Sequence, residues 1–447
     1  MRNMKKMMSA FVALFVLMFG VQAQIYYVSK TTGSNGNDGL SAATPKKNLQ
    51  KALDIAPAGA KILVAEGNYV GTLDCGNIFI KNPVTIEGGY ATDFKSRDVL
   101  KHQTTVQTNS TTNGTAQGQG TVQIKVSAAG RKVTIDGLIF NQGNSIAYNP
   151  KREGQPQGVE TPMMQPVGAS GIGGVDCSEQ NVRTNRMALI YLDNPEVDIE
   201  IKNCAFVNGS NYGILGMFKG VATIKNNIFV NNVIASVDIR GSYGEYANKF
   251  SKVYFENNTV LFSWSRLKDM GDMGYGFCIK PGTDCYLSNN IFGFSVFAGL
   301  DRSHVDSNKQ KEAKRITSVK NNLFCLNKKG DLVIPGGGMM MRVSAEDFAD
   351  VDALTEATAN KSITDAKVFN GKLDAAYVNG FLTATYKEST DYNANSLSNQ
   401  FRSAIGMNQV GTMQSSATMY ANRYNLQKAL QLFGAVAGYG AQLNMTK

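Results

Sequence analysis

The chain has 447 residues, 45 Lys and Arg against 35 Asp and Glu, and a formal net charge of +10 at pH 7. Only 18% of the residues are charged and 43% are hydrophobic, a balance that excludes a disordered polyelectrolyte and allows a large buried core. Two histidines and six cysteines with no Cys-x-x-Cys argue against a structural zinc site.

Residues 1–23 read as a secretory leader. Arg2, Lys5 and Lys6 form a basic start, 11–20 is apolar, and Val21-Gln22-Ala23 is a small-residue cleavage site. The apolar run is too short to span a bilayer, so no transmembrane segment is expected. Export places the mature chain in the periplasm, on the outer surface or outside the cell. Loss of the leader lowers the net charge from +10 to +7. That allows an anionic partner without requiring one, and no nucleic-acid motif is present. The oligomeric state is not legible.

Residues 24–70 read as a mixed module that covers one end of the fold. Ile25-Tyr26-Tyr27-Val28 is a strand and 33–39 a turn cluster of Gly, Asn and Asp. Thr44-Pro45 predicts a helix start, with Leu49, Ala52, Leu53 and Ala56 on one face. Lys61-Ile62-Leu63-Val64 is a second strand, and 66–69 a turn. The oxygen-rich Asn/Asp cluster suits Ca²⁺, but a bidentate Glu at the right distance is missing and a plain turn fits better. No other cofactor is implied.

The region 71–340 carries an internal repeat. Ile-Asp-Gly-Leu-Ile-Phe at 135–140 is followed by Ile-Lys-Asn-Cys-Ala-Phe at 201–206 and Ile-Lys-Asn-Asn-Ile-Phe at 224–229. Phe-Glu-Asn-Asn-Thr-Val at 255–260, Leu-Ser-Asn-Asn-Ile-Phe at 287–292 and Val-Lys-Asn-Asn-Leu-Phe at 319–324 continue it. The Gly/Asn column (Gly137, Asn203, Asn226, Asn257, Asn289, Asn321) holds residues that tolerate positive φ, so it predicts a recurring one-residue bend between short strands. Strand, bend and strand every two to three dozen residues predict an all-β, right-handed parallel β-helix, with Asn and Phe ladders between coils. A leucine-rich repeat lacks its Leu spacing here. The phrase at 84–90 reads as another coil, 104–126 as exposed strand and loop, and 141–186 as a long loop beside the coils. Residues 341–447 read as a mixed C-terminal cap, with helical signals at 345–354 and 421–433.

With these motifs in hand, the segment 35–69 resembles the N-terminal cap of the pectate-lyase-like superfamily, and Val133–Phe140 and Ile224–Asn231 resemble its coil phrases. The resemblance covers roughly 25–335 and implies the fold. It does not choose among the lyases, hydrolases, esterases, epimerases and adhesins of that superfamily. The paired-Asp and Gly-His-Gly set of polygalacturonases is absent, and no catalytic residue is carried over.

Chemistry is expected on the strand that precedes each Asn phrase. Leu192, Phe218, Ile239, Ile279 and Leu300 are read as pointing inward, which turns Asp193, Lys219, Arg240, Lys280 and Asp301 outward in one row. Asp238 shares the face of Arg240. The candidate catalytic residues are Lys280, Arg240, Asp238 and Asp301. The candidate substrate-binding residues are Asp193, Lys219, Arg302 and Tyr191. Elimination on a uronic-acid polymer needs a base, positive charge for the developing enolate and a groove, and the row supplies the residue types. Asp238 and Asp301 would alternatively serve glycoside hydrolysis, and a plain salt-bridge ladder explains the same residues. The expectation is a protein that binds, and as an enzyme would degrade, an acidic polysaccharide. The alternative is a non-catalytic surface or adhesin-like protein. Tyr191, Tyr212, Tyr243, Tyr246, Trp264 and Tyr275 are candidates for sugar stacking. Six cysteines allow fifteen pairings, and Cys278 and Cys285 form the one near pair.

Overall fold

The computed structural model describes residues 23–69, 71, 78–107, 124–141, 188–207, 209, 212–230, 232, 234–241, 251–263, 274–280, 282–295, 297–302, 315–336, 339–365, 395 and 439–443. The leader, the 141–186 segment beyond Asn141, the stretch 303–314, the expected helix at 421–433, and Tyr243, Tyr246 and Trp264 lie outside the described residues.

The strands stack in parallel to make three faces, here called sheets A, B and C. Sheet C is the simplest: Gly67–Tyr69, Thr104–Gln107, Ile139–Asn141, Ala205–Val207, Ile228–Val230, Thr259–Leu261, Ile291–Gly293, Leu323–Cys325 and Lys361–Ile363. Sheet B holds Ile25–Val28, Lys61–Ala65, Thr85–Tyr90, Ala129–Asp136, Val221–Lys225, Ser251–Glu256, Thr283–Ser288, Thr317–Lys320 and Glu356–Thr358. Sheet A holds Ile78–Ile80, Ile124–Val126, Tyr212–Lys219, Ala235–Gly241, Tyr275–Ile279, Ala298–Asp301 and Gly330–Gly336. The 15-residue strand Ala188–Lys202 runs through A and then B, joining them. The antiparallel Met339–Val343 pairs with Gly330–Gly336 and ends sheet A. Crossovers between parallel strands are right-handed almost without exception, which fixes the hand of the coil.

The bend between sheets B and C is the recurring feature that the repeat predicts. Asn203, Asn226, Asn257, Asn289 and Asn321 have φ of 55°, 57°, 54°, 57° and 50°, and Gly137 has 72°. Asn reaches this left-handed region at little cost, which is why Asn or Gly fills the bend in these six coils. The buried ladder is made by the next residue. Asn227, Asn258, Asn290 and Asn322 are each 0% exposed. Each donates from Nδ2 to the Oδ1 of the next, at 3.0, 3.2 and 2.9 Å, and Asn322 donates to Asn360 at 3.1 Å. Each Oδ1 also accepts a backbone N–H from the coil before. The primary amide, with two donors and two lone pairs, satisfies backbone groups that a sharp turn leaves orphaned inside the protein.

The Phe column also stacks. Ring centroids of Phe140 and Phe206 lie 4.9 Å apart, Phe206 and Phe229 4.5 Å, and Phe292 and Phe324 5.3 Å. Val260 interrupts the column, and Phe255 from sheet B fills the gap, 6.0 Å from both Phe229 and Phe292. Each buried ring contributes about 2–3 kcal/mol by transfer from water. The rings need small partners on sheet A: a Cβ on Gly276 would sit 2.9 Å from Phe292, and one on Gly299 2.8 Å from Phe324.

Several expectations change at the ends. The first helix, α1, is Leu49–Leu53 with Asn48 as its N-cap, four residues later than Thr44-Pro45 implies. Thr44 instead donates to Asp38, and the Pro45 carbonyl accepts from Asn37, so both belong to the preceding turn. The apolar face is as expected, with Leu49, Ala52, Leu53 and Ala56 in the core. Residues 67–69 are the first strand of sheet C rather than a turn, because Tyr69 anchors there, donating its hydroxyl to Ala65 at 2.8 Å. Val106, Ile124 and Val126 are fully buried, so 104–107 and 124–126 are core strands. The coil pattern continues past 340: Glu356–Thr358 and Lys361–Ile363 add a coil, with Ala359 at φ 56° in the bend and Asn360 in the ladder. Before this coil the 3₁₀ turn Ala345–Asp350 sets Phe348 edge-on to Phe324 at 5.2 Å. Cys204, Cys278, Cys285 and Cys325 are buried and none of them is in a disulfide. Cys285 lies in the core and Cys278 in a separate cluster with Tyr275, Phe297 and Val333, so strand alternation keeps that near pair apart.

Candidate functional site

Outward residues of sheet A fall into columns set by register. One column runs Lys125, Tyr191, Leu215, Asp238, Cys278, Asp301 and Val333. The next runs Asp193, Met217 and Arg240. Ile239 pairs with Ile279, which puts Lys280 beside Arg240. All five residues expected to face inward are buried: Leu192, Phe218, Ile239, Ile279 and Leu300.

The outward charges, however, do not form one row. Phe218 pairs with Gly241 rather than Ile239, which carries Lys219 two residues beyond Arg240. Lys219 instead aligns with Glu196 and is ion-paired to it. Asp301 aligns with Cys278 and so with Asp238, two positions short of Lys280. A bulge between Asp193 and Glu196 shifts the register, and Gly216 takes the inward position beside Ile239, neither of which strand patterns alone reveal.

The register groups the four candidate catalytic residues on three neighbouring coils, with Asp301 diagonal to Lys280 rather than beside it. Lys280 Nζ lies 3.2 Å from Asp238 Oδ2, with side chains 12% and 15% exposed. Asp301 is 1% exposed, and Arg302 beside it is also buried. The Cys278 thiol lies between the two carboxylates. Burial pushes its pKa well up, and the nearby Asp238 and Asp301 charges push it further. Burial alone would lower Lys280. The Cys278 sulfur and the Asp238 and Asp301 carboxylates outweigh this and hold it above the usual lysine range. Lys280 is therefore an ammonium suited to binding a carboxylate or stabilising an enolate. Acting as a base would first require losing that proton.

The expected substrate-binding residues are spread wider. Tyr191 lies in the Asp238 column and Asp193 in the Arg240 column, each two coils away. Asp193 is bridged to Lys125 at 2.7 Å. Tyr212 is half-buried, whereas Tyr275 is buried against Phe297 at 4.9 Å. In the N-terminal loop, Asp38 accepts from Leu40 and Thr44, and Asn35 accepts from the Asn48 N–H, so these oxygens already serve the turn. Among the described residues no group of three or more His, Cys, Asp or Glu is placed to hold a metal ion, and no helix is long and apolar enough to cross a membrane.

A row of one outward residue per coil does exist, on sheet B. Glu87, Asp136, Lys202, Lys225, Glu256, Ser288 and Lys320 are successive register partners. They precede the bend, and the signal was the second letter of each repeat phrase. Beside them Tyr254 and Tyr286 stack face to face at 4.8 Å, so they present edges to solvent. At the early coils this row floors a cleft of about 970 Å³, walled by Tyr90, Lys95, Ser96 and Arg97 on one side and Asn203, Asn226, Asn257 and Gln442 on the other.

No protein-family model matches the sequence, and a search of curated proteins returned no relative. Among solved structures the chain is similar to pectin methylesterase PemA from Erwinia chrysanthemi, at 11% identity over 83% of this chain and 99% of that one, TM-score 0.36. It is similar to pectate lyase Pel9A at 13% identity over 84% of each chain, TM-score 0.38. It is similar to XylC, solved with xylose, at 12% identity over 69% and 63%, TM-score 0.35. Likenesses this distant carry no weight on activity. The strand pairing itself makes this chain a right-handed parallel β-helix.

Proposed function

We propose that this is an exported protein that binds an acidic polysaccharide along the outer face of sheet A. The observation that supports this most is the grouping of Arg240 and Lys280 on neighbouring coils beside Asp238 and Asp301. Strand spacing sets these coils ~4.8 Å apart, so an extended polymer lying along the axis meets a cation at successive steps. Arg240 and Lys280 bind carboxylates, Tyr191 and Asp193 extend the track toward the N-terminal coils, and Asp238 orients Lys280 through their ion pair.

Cleavage is the enzymatic form of this reading. In β-elimination the proton beside the uronate carboxylate is removed, the glycosidic C–O bond at the β-carbon breaks, and a C=C bond forms while the leaving oxygen takes a proton. Arg240 and Lys280 would stabilise the enolate. The test is incubation of the pure protein with a panel of uronic-acid glycans, following retention on immobilised glycan and ultraviolet absorbance of the unsaturated product. Retention without product leaves a binding protein. Neither one rejects the proposal.

The alternative is a non-catalytic surface protein in which the coils are a rigid spacer. The protonated, ion-paired state of Lys280 and the burial of Asp301 favour it over an enzyme. It predicts that replacing Lys219, Arg240 and Lys280 together leaves function intact.

A further inference from the structure

The cleft on sheet B lies on a different face of the coil from Arg240 and Lys280, and its charges do not balance. Three lysines from three coils converge on one carboxylate. Lys132 and Lys202 reach Glu200 Oε2 at 2.9 and 3.4 Å, and Lys225 reaches Oε1 at 3.1 Å. Asp136 is engaged at 2.7 Å by Arg97 and at 2.7 Å by the Asn203 amide, with Lys202 3.9 Å away. Four cations thus share these two carboxylates; Lys61 is paired to Glu87, and Glu256 lies beside Lys225 on the next coil, so the cleft holds five cations against four carboxylates before Lys95 is counted. Lys95 is exposed on the rim and adds a sixth, with no ion pair to a described residue. Lys202 and Lys225 are register partners, which holds two ammonium groups on strands ~4.8 Å apart. Such a surplus is unfavourable unless an anion reduces it.

The rest of the lining is built of amides. The Gln442 N–H donates to Asn226 Oδ1 at 2.5 Å, Asn226 Nδ2 to Asn203 Oδ1 at 2.6 Å, and Asn203 Nδ2 to Asp136. This chain fixes the amides in place before any ligand arrives, which lowers the ordering cost of binding. Amide groups and paired charges suit the hydroxyls of a sugar. The aromatic surface on offer is small: Tyr90 carries Arg97 over its ring at 5.8 Å and donates its hydroxyl to Glu87. That disfavours base stacking by a nucleic acid.

We propose that this cleft is a second saccharide site, for a carboxylated or otherwise anionic oligosaccharide, held by Lys95, Lys202 and Lys225 and walled by Gln442, which the doubly bonded Asn226 amide holds in place. The proposal shares the ligand class of the sheet A reading but is independent of sheet A residues. Titration calorimetry on the full-length protein tests it, using oligogalacturonate, a neutral cello-oligosaccharide of equal length, inorganic phosphate and an oligothymidylate of equal charge. The result expected is saturable binding of oligogalacturonate at two sites, one that Lys95→Glu with Lys225→Met weakens roughly tenfold and Arg240→Ala leaves in place, the other lost in Arg240→Ala. Lys95→Glu alone, on an exposed rim position, serves if the double variant does not fold, and a several-fold loss is expected. Binding abolished by Arg240→Ala and untouched by both lysine variants overturns this inference while sustaining the sheet A reading. Binding lost only in the lysine variants sustains the inference and overturns the sheet A reading. Tighter binding of phosphate or of the oligothymidylate rejects the ligand class.

Discussion

Asn258 donates its side-chain amide to Asn290 Oδ1 at 3.2 Å, and the same oxygen accepts the Asn258 backbone N–H at 2.8 Å. One amide thus satisfies two groups of the coil before it, while Asn290 Nδ2 also binds the Phe255 carbonyl at 2.8 Å. Replacing Asn290 by Ala orphans those groups in a fully buried turn, and a loss of about 2–4 kcal/mol is expected. Denaturant unfolding checks this. Asn257→Gly, at the neighbouring bend position with φ 54°, is expected to change stability far less.

Gly276→Ala places a methyl group 2.5 Å from the Gly299 carbonyl oxygen and 2.9 Å from the Phe292 ring. Backbone cannot yield as a flexible side chain does, so the Phe ladder must shift. A loss of about 1–3 kcal/mol is expected, read as a lower melting temperature.

Glu200 sets an acid limit on sheet B. Burial alone would raise its pKa. Hydrogen bonds from Lys132 and Lys225 and the Lys202 charge outweigh that and bring it down to about 2. A carboxylate depressed on folding stabilises the native state above its ordinary value of 4.5, and that contribution is lost as pH falls from 4.5 toward 2. Glu200→Gln is expected to be less stable at pH 7 and to show a flatter stability profile over that window, measured by melting at a series of pH values.

Asp331 acts in the opposite sense. Burial pushes its carboxyl above the ordinary 3.8, against hydrogen bonds from Ser362, the Ala345 N–H and Asn327. A carboxyl raised on folding binds its proton better in the native state. Stability is therefore highest below pH 3.8 for this group and declines as pH rises through the folded value. Asp331→Asn is expected to remove that decline, and the same series of melts checks it.

Much of this fold was legible because the bend needs a rare backbone conformation. Only Asn and Gly fill it cheaply, so the column from Gly137 to Asn321 is visible in the letters alone. The ladder one residue later was partly hidden by Cys204, where the coil reads Asn-Cys instead of Asn-Asn. The sheet A site was legible as residue types but not as columns. Alternation shows that Phe218 faces in, yet nothing in the sequence says that it pairs with Gly241, and this decides where Lys219 goes. The sheet B cleft was missed for a different reason. Arg97 and Gln442 join it from segments remote from the repeat, and a surplus of charge is visible only once Lys132, Lys202 and Lys225 are seen around one carboxylate.

The binding reading depends on sheet A being the face that a glycan covers. Hydrogen exchange of the full-length protein with and without oligogalacturonate tests this most directly. The account predicts added protection in peptides spanning 235–241, 275–280 and 298–302. Protection absent from all three, at ligand concentrations where binding is seen, would contradict it.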